Sequence, residues 1–134
     1  RLITSPEIIN KSLFSKKFAV YKVITYPFKY EVKRRYNDFL WLRMMLVRDF
    51  PSSFVNCSNQ ISPMAEKTQR SLEPDYLHKR ASQLQQFIDG VIESEELRAS
   101  LAFLCFLKCT NDDQWTKIKL ELEKSPGKAA VTHY

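Results

Sequence analysis

Hydrophobic and polar side chains alternate along two segments near the start of the chain, a pattern that is typical of half-buried β-strands. Residues 17–25 read KFAVYKVIT and are rich in aromatic and β-branched side chains. Residues 28–35 read FKYEVKRR and alternate more strictly. Because Tyr26 and Pro27 form a short connection between them, we expect an antiparallel hairpin. A short strand near residues 2–4, ending at Pro6, would complete a three-stranded meander.

The apolar spacing then changes to the helical period. We expect Asn37 to cap the first helix and Pro51 to end it, because proline disfavours helical geometry in the residue before it. A long polar connection follows over residues 51–73, and a second helix begins near Asp75. The apolar positions expected on the inner faces of these two helices are Phe39, Leu42, Leu46, Leu77, Leu84, Phe87, Ile88 and Val91.

Two further helices are predicted after residue 93. Ser94 is expected to cap a third helix that continues to Leu107, with Leu97, Leu101, Leu104 and Cys105 among its apolar positions. Thr110 and Asn111 are expected to cap a fourth, with Trp115, Ile118 and Leu122 on its inner face.

Strands that precede helices in this order indicate an α+β fold. We expect a three-stranded antiparallel β-meander packed against a bundle of about four helices, with a long loop between the first and second helices. Residues 1–124 would form one domain, and residues 125–134 a C-terminal tail or linker.

Charge and composition narrow the function. The 134-residue chain carries a net charge of +6, with an excess of +8 over residues 1–88 and of −2 over residues 89–134. Such asymmetry favours a polyanionic partner, although a basic surface that merely keeps the protein soluble explains it equally well. Two glycines leave no glycine-rich phosphate loop, and two histidines make zinc hydrolase and triad chemistry poor hypotheses. We therefore expect a binding domain and no enzyme.

The three cysteines are Cys57, Cys105 and Cys109. Their odd number and the absence of a CxxC motif fit a reducing compartment. Cys105 and Cys109 would share a helix face, where they are either buried thiols or the start of a metal site, and the first interpretation is favoured. We expect no metal or cofactor. Without an apolar run of membrane-spanning length or a signal-peptide pattern, the chain is expected to be cytoplasmic or peripheral.

The strand-to-helix junction carries the strongest functional signal. Lys33, Arg34 and Arg35 are consecutive cations, and Tyr36 follows them directly. An arginine can hold a phosphate through two parallel hydrogen bonds, and an aromatic ring can pack against a sugar or inositol ring. The alternative interpretation is a basic strand end with Tyr36 buried in the core.

The run RRYNDFLWLR, residues 34–43, resembles the RRYxDFxxL signature of phox-homology (PX) domains, especially those of sorting nexins. LITSPE and KFAVYKVIT are similar to the first two strands of that family. HKRASQLQQFIDGV, residues 78–91, resembles its RxxxLxxFL-type helix, and the similarity extends along most of the chain, roughly residues 1–122. The resemblance implies a module that binds phosphoinositides, most often phosphatidylinositol 3-phosphate. It also implies endosomal sorting and protein trafficking at the cytosolic face of endosomal membranes.

The resemblance also implies roles for individual residues. Arg35 resembles the arginine that grips the 3-phosphate, and Tyr36 the aromatic residue under the inositol ring. Arg80 resembles the arginine that binds the 4- and 5-hydroxyls, and Lys67 the loop lysine at the 1-phosphate. Four further positions could assist: Lys33 and Arg34 as auxiliary basic residues, the latter in a structural or an auxiliary role, and Ile61 and Met64 as loop residues that contact the membrane.

Other functions stay open at this stage. The segment FVNCSNQISPMAEK has one proline where the family usually has three, so a protein-interaction module of PX fold with weak lipid selectivity is the main alternative. Nucleic-acid binding through the basic strand is disfavoured, because Phe28, Tyr30 and Phe39 fit core positions better than an exposed stacking platform. Other sorting nexins or coat components are expected to bind regions outside this fragment.

Overall fold

A three-stranded antiparallel sheet opens the computed structural model, which describes residues 2–11, 16–26, 30–55 and 74–125. The strands pair in sequence order, and they are β1 (Leu2–Lys11), β2 (Lys16–Thr25) and β3 (Tyr30–Arg34). The predicted hairpin and meander are therefore confirmed.

The first strand is longer than the sequence predicts. It continues past Pro6 and pairs with the whole of β2, from Leu2 opposite Thr25 to Lys11 opposite Lys16. β1 is an edge strand of the sheet, and an edge strand is the position in a sheet that tolerates a proline such as Pro6.

Six helices follow the sheet within the described residues. They are α1 (Tyr36–Asp49), α2 (Pro51–Val55), α3 (Pro74–Glu93), α4 (Glu95–Arg98), α5 (Leu101–Lys108) and α6 (Asp112–Lys124). The expectation of about four helices corresponds to the longer ones, α1, α3, α5 and α6. None of the helices described is long and apolar enough to cross a membrane.

The start of α1 differs from the prediction. Arg35 occupies the N-cap position, and Asn37 lies inside the first turn with its side chain exposed. The reason is Asp38, whose carboxylate Oδ2 accepts a hydrogen bond from the Arg35 backbone N–H at 2.9 Å. That bond satisfies the N-cap amide and moves the helix start two residues earlier than an Asn37 cap would place it.

The end of α1 agrees with the prediction, since the helix stops at Asp49 before Pro51. The connection that follows is not entirely irregular, because residues 51–55 form α2, in which proline takes the first helical position that tolerates it. The remainder of the predicted loop, residues 56–73, lies outside the described residues.

The predicted third helix is two helices. The Ser94 side chain caps α4 as expected, but the helix ends at Arg98 and a new one begins at Leu101, capped by the Ser100 hydroxyl. The break changes which side chains are buried, so Leu101 is 61% exposed and Leu104 is 38% exposed. The inner face of α5 is formed instead by Ala102, Phe103, Phe106 and Leu107.

The core lies between the inner face of the sheet and the helices. Tyr21, Val23 and Val32 contribute from the strands, and Phe39, Leu42 and Leu46 are fully buried in α1 as predicted. The predicted inner positions of α3, namely Leu77, Leu84, Phe87, Ile88 and Val91, are all buried. Asn111 caps α6 by accepting from the Gln114 backbone N–H, and Trp115 is buried below it.

A further predicted core position is wrong. Tyr30, at the start of β3, is 40% exposed, and the ammonium of Lys108 lies 5.2 Å from its ring centroid. Its ring faces the Lys108 ammonium at the edge of the sheet instead of filling the core. Phe28 lies outside the described residues.

Candidate functional site

The two adjacent arginines at the end of β3 have opposite environments. Arg34 is 1% exposed, whereas Arg35 is exposed. Successive side chains of a strand point to opposite faces, so the pair is divided between the core and the surface. This is the alternation that the sequence indicates, and it leaves Arg35 as the arginine that a ligand can reach.

Arg34 is held by the C-terminal end of α5. Its Nε donates to the Phe106 carbonyl at 3.0 Å, and its Nη2 donates to the Cys109 carbonyl at 2.6 Å. The guanidinium also lies 4.1 Å from the ring centroid of Trp115. Burial lowers the Arg34 pKa to about 10, and the Asp38 carboxylate opposes that shift. The side chain is therefore still charged at neutral pH, and its contacts are structural.

Arg35 is fixed through its backbone. The Asp38 carboxylate accepts the Arg35 N–H with Oδ2, while Oδ1 accepts the Trp115 Nε1–H at 3.2 Å and the Lys119 ammonium at 2.8 Å. Asp38 is 8% exposed. One carboxylate therefore joins the strand-to-helix junction to α6.

Tyr36 and Arg80 are in direct contact. The guanidinium carbon of Arg80, on α3, lies 3.6 Å from the Tyr36 ring centroid, which is stacking distance. Arg80 is 8% exposed. The structure therefore brings together two predicted site residues that are 44 positions apart in the sequence. Tyr36 is half-buried, so its ring belongs partly to the core and partly to the surface.

Sequence reasoning missed a third member of this cluster. The Tyr76 hydroxyl accepts a hydrogen bond from Arg80 Nη2, and the Arg80 guanidinium carbon lies 4.8 Å from the Tyr76 ring centroid. Tyr76 precedes Arg80 by four residues, so both project from the same face of α3. That i, i+4 spacing is the signal that could have identified Tyr76.

Tyr21 completes the surroundings of Arg80 from the sheet. Burial raises the Tyr21 pKa to about 12, and the charge of Arg80 opposes the shift. The phenol is therefore neutral at physiological pH. Arg80 is 8% exposed and contacts the rings of Tyr36 and Tyr76, and its charge acts on the nearby Tyr21, so the guanidinium is held in a defined position.

The exposed side of β3 borders an open cleft of about 650 Å³ between the sheet and α6. Lys33 and Arg35 line it from the sheet side, and Asp38, Trp115 and Lys119 line its other wall. Among the described residues, Tyr36 and Arg80 are not part of that lining. Arg35 thus stands between this cleft and the Tyr36–Arg80 pair that begins at the next residue.

Three predicted positions cannot be placed. Lys67, Ile61 and Met64 all fall within residues 56–73, outside the described part of the chain. Their roles in phosphate and membrane contact stay predictions. Of the three cysteines, Cys105 and Cys109 are half-buried free thiols. Within the described ranges, no three His, Cys, Asp or Glu side chains are grouped as metal ligands would be.

The comparisons with known proteins agree on one family. The family model described as PX domain matches residues 23–110. Sorting nexin-4 of Candida albicans is 29% identical over 96 residues, which cover 72% of this chain and 15% of that protein. Sorting nexin MVP1 of Candida glabrata is 32% identical over 87 residues, covering 64% of this chain and 16% of its own length. The chain thus spans a small part of these relatives.

Solved structures share the fold. The X-ray structure of a designed CISK-PX domain superposes with a TM-score of 0.68 at 22% identity and covers 81% of this chain and 99% of its own. The mouse SNX19 PX domain, solved with a bound sulphate ion, gives a TM-score of 0.55 at 19% identity, covering 80% and 93%. With the RRYNDF junction, the meander and the helix order in place, the match over residues 23–110 shows that the chain belongs to the PX domain family.

Proposed function

We propose that this chain is a phosphoinositide-binding module that targets a larger protein to membranes, with phosphatidylinositol 3-phosphate as its preferred lipid. The observation that carries the proposal is the stacking of Arg80 on Tyr36 at 3.6 Å, directly beside the exposed Arg35. Arg80 thereby stacks on the ring of Tyr36, and Arg35 is the next residue of the chain at the same strand-to-helix junction.

Each of these groups suits one part of an inositol phosphate. Arg35 offers a planar fork of donors for the 3-phosphate, a geometry that a lysine cannot reproduce. Tyr36 offers apolar ring surface next to those charges. Arg80 has five N–H donors, of which one is engaged by Tyr76 among the described contacts. Its other donors can serve the 4- and 5-hydroxyls, in the role that the family resemblance implies.

The charge distribution supports a membrane as the source of that head group. Residues 1–88, which contain Arg35, Tyr36 and Arg80, carry an excess of +8. Each basic side chain near an anionic bilayer contributes about 1 kcal/mol of attraction, in addition to any specific pocket. The sorting nexin names of the relatives support a role in sorting, which we propose to be endosomal protein trafficking. In that role the chain associates peripherally with the cytosolic face of endosomes.

Arg35→Ala tests the proposal, and Arg98→Ala is the matched control. Both substitutions remove one arginine charge, but Arg98 lies on α4, after the end of α3. Sedimentation with vesicles that contain phosphatidylinositol 3-phosphate measures binding, alongside vesicles of equal charge made with phosphatidylserine. Losing a charge-assisted bidentate contact worth about 1.5–3 kcal/mol weakens binding by about tenfold or more. The Arg98→Ala variant should bind like the wild type.

Two results would overturn the proposal. Equal binding of Arg35→Ala and the wild type to the 3-phosphate vesicles would show that Arg35 does not hold the phosphate. Equal binding of the wild type to both kinds of vesicle would show a general attraction to negative charge, without head-group selectivity.

A further inference from the structure

Helix α6 follows the segment that matches the family, and its side chains contact Asp38 beside the proposed lipid site. The family match ends at residue 110, and α6 spans Asp112–Lys124. Trp115 and Lys119, which are one helical turn apart on α6, both donate to Oδ1 of Asp38. Asp38 lies in the first turn of α1, three residues after Arg35.

The two oxygens of Asp38 have different tasks. Oδ2 accepts the Arg35 backbone N–H at 2.9 Å, and Oδ1 takes both donors from α6. A carboxylate is a rigid planar group, so fixing one oxygen fixes the other. Without α6, the Arg35 amide would be the one hydrogen-bond donor left to this side chain among the described contacts, and the carboxylate could rotate away from it.

The donors on α6 are themselves firmly placed. Trp115 is 5% exposed, packs edge-on against Trp41 with ring centroids 5.2 Å apart, and carries the Arg34 guanidinium over its ring. The Lys119 and Asp38 side chains are 25% and 11% exposed, so their 2.8 Å ion pair is screened less than a surface pair. These contacts transmit the position of α6 to the N-cap of α1.

We propose that Trp115 and Lys119 are positioning residues for the lipid site, and that lipid affinity depends on the docking of α6. They act through Asp38, which holds the backbone of Arg35 and thereby sets where its guanidinium and the following Tyr36 project. The inference rests on the proposed function, because it takes the ligand at Arg35 to be a phosphoinositide. The inference adds that residues after the segment matched to the family hold the lipid site in position.

Lys119→Met tests this proposal, with Lys117→Met as the control. Both remove one lysine charge from α6, but Lys117 is exposed and Lys119 bonds Asp38. Methionine is an unbranched side chain of similar length, so Lys119→Met keeps the packing of the partly buried stem and removes the ammonium that bonds Asp38. A coupling of ordinary size weakens binding to phosphatidylinositol 3-phosphate vesicles by about fivefold or more in Lys119→Met. Lys119→Arg, which can still donate to Asp38, should restore binding.

Hydrogen exchange of the Arg35 amide provides a second readout that needs no lipid. In the wild type this N–H is bonded to Asp38, so Lys119→Met should increase its exchange rate while amides in the middle of α3 stay protected. A general loss of stability would instead raise the exchange of both.

The outcomes separate the two proposals. If Arg35→Ala loses binding but Lys119→Met matches Lys117→Met in both binding and Arg35 exchange, the inference about α6 is wrong and the proposed function stands. If Arg35→Ala keeps full binding, the proposed function fails, and the positioning of a lipid site fails with it.

Discussion

The two adjacent arginines at the end of β3 should differ in what their substitution changes. Substitution of Arg34 should lower the folding stability, whereas substitution of Arg35 should weaken lipid binding. The Arg34→Met substitution tests the structural role. The substitution replaces a 1% exposed guanidinium by an unbranched apolar side chain. It leaves Arg35, the proposed phosphate ligand, unchanged. The expected result is a large loss of folding stability, because the carbonyls of Phe106 and Cys109 lose their buried donor.

The magnitude follows from these contacts. A hydrogen bond to a charged group contributes about 1.5–3 kcal/mol, and two well-formed ones are lost, at 3.0 and 2.6 Å. The stacking on Trp115 is lost as well. The contributions of these contacts are not additive, and replacing the charged guanidinium by a neutral side chain also removes the cost of burying a charge. We therefore expect the free energy of unfolding to fall by about 3–5 kcal/mol. That is a large share of the roughly 5–15 kcal/mol that stabilises a domain.

Urea unfolding followed by tryptophan fluorescence measures this loss. With a dependence of about 1–3 kcal/mol per molar urea, the midpoint should fall by roughly 2 M. Lys33→Met, an exposed neighbour on the same strand, should change stability by no more than about 0.5 kcal/mol. Arg34→Lys should lie between the two, because it keeps the charge and loses the fork. An Arg34→Met variant within about 1 kcal/mol of the wild type would refute the reasoning.

One further substitution and one labelling reaction test the surroundings of the site. Tyr76→Phe keeps the ring beside Arg80 but removes the oxygen that accepts from Nη2, so binding to 3-phosphate vesicles should weaken by about fivefold. Unchanged binding would show that Tyr76 does not position Arg80. Burial and the neighbouring Cys109 raise the Cys105 pKa, which lowers its thiolate fraction at pH 8. Iodoacetamide should therefore label Cys105 more slowly in the folded than in the urea-unfolded chain, as measured by peptide mapping. In the folded chain, the labelling rate should continue to rise with pH above the pH range in which an ordinary thiol titrates. Equal rates at pH 8 would contradict this.

The sequence predicted the elements whose signals are local. Alternation revealed β2 and β3, and the spacing of Leu84, Ile88 and Val91 revealed the buried face of α3. Where a local signal was ambiguous, the prediction failed. Asn37 and Asp38 are both good residues for a helix start, and only the bond from Arg35 to Asp38 decides which geometry forms.

The prediction of one continuous helix across α4 and α5 was wrong for a related reason. The apolar spacing from Leu97 to Leu107 fits one continuous helix, although the structure exposes Leu101. Ser100 is a good N-cap residue and was the available signal. Its choice as a helix start depends on how the following turn packs, which periodicity does not record.

The contacts that shape the candidate site were the least predictable. Arg80 reaches Tyr36 across 44 positions, and Lys119 reaches Asp38 across 81. The family resemblance supplied the roles proposed for Arg35, Tyr36 and Arg80. The contacts that Trp115 and Lys119 make with Asp38 could not be predicted from the RRYxDFxxL signature, because they arise from tertiary packing.

The bond between Arg34 and the Cys109 carbonyl has a consequence for biosynthesis, since 75 positions separate its ends. At about 5–20 residues per second, roughly 4–15 seconds pass between the synthesis of β3 and that of its partner helix end. During that time the guanidinium must stay hydrated, which keeps the last strand from closing onto the core. A nascent chain that has been synthesised only as far as α3 therefore leaves uncovered the apolar surface that α5 and α6 bury in the folded domain.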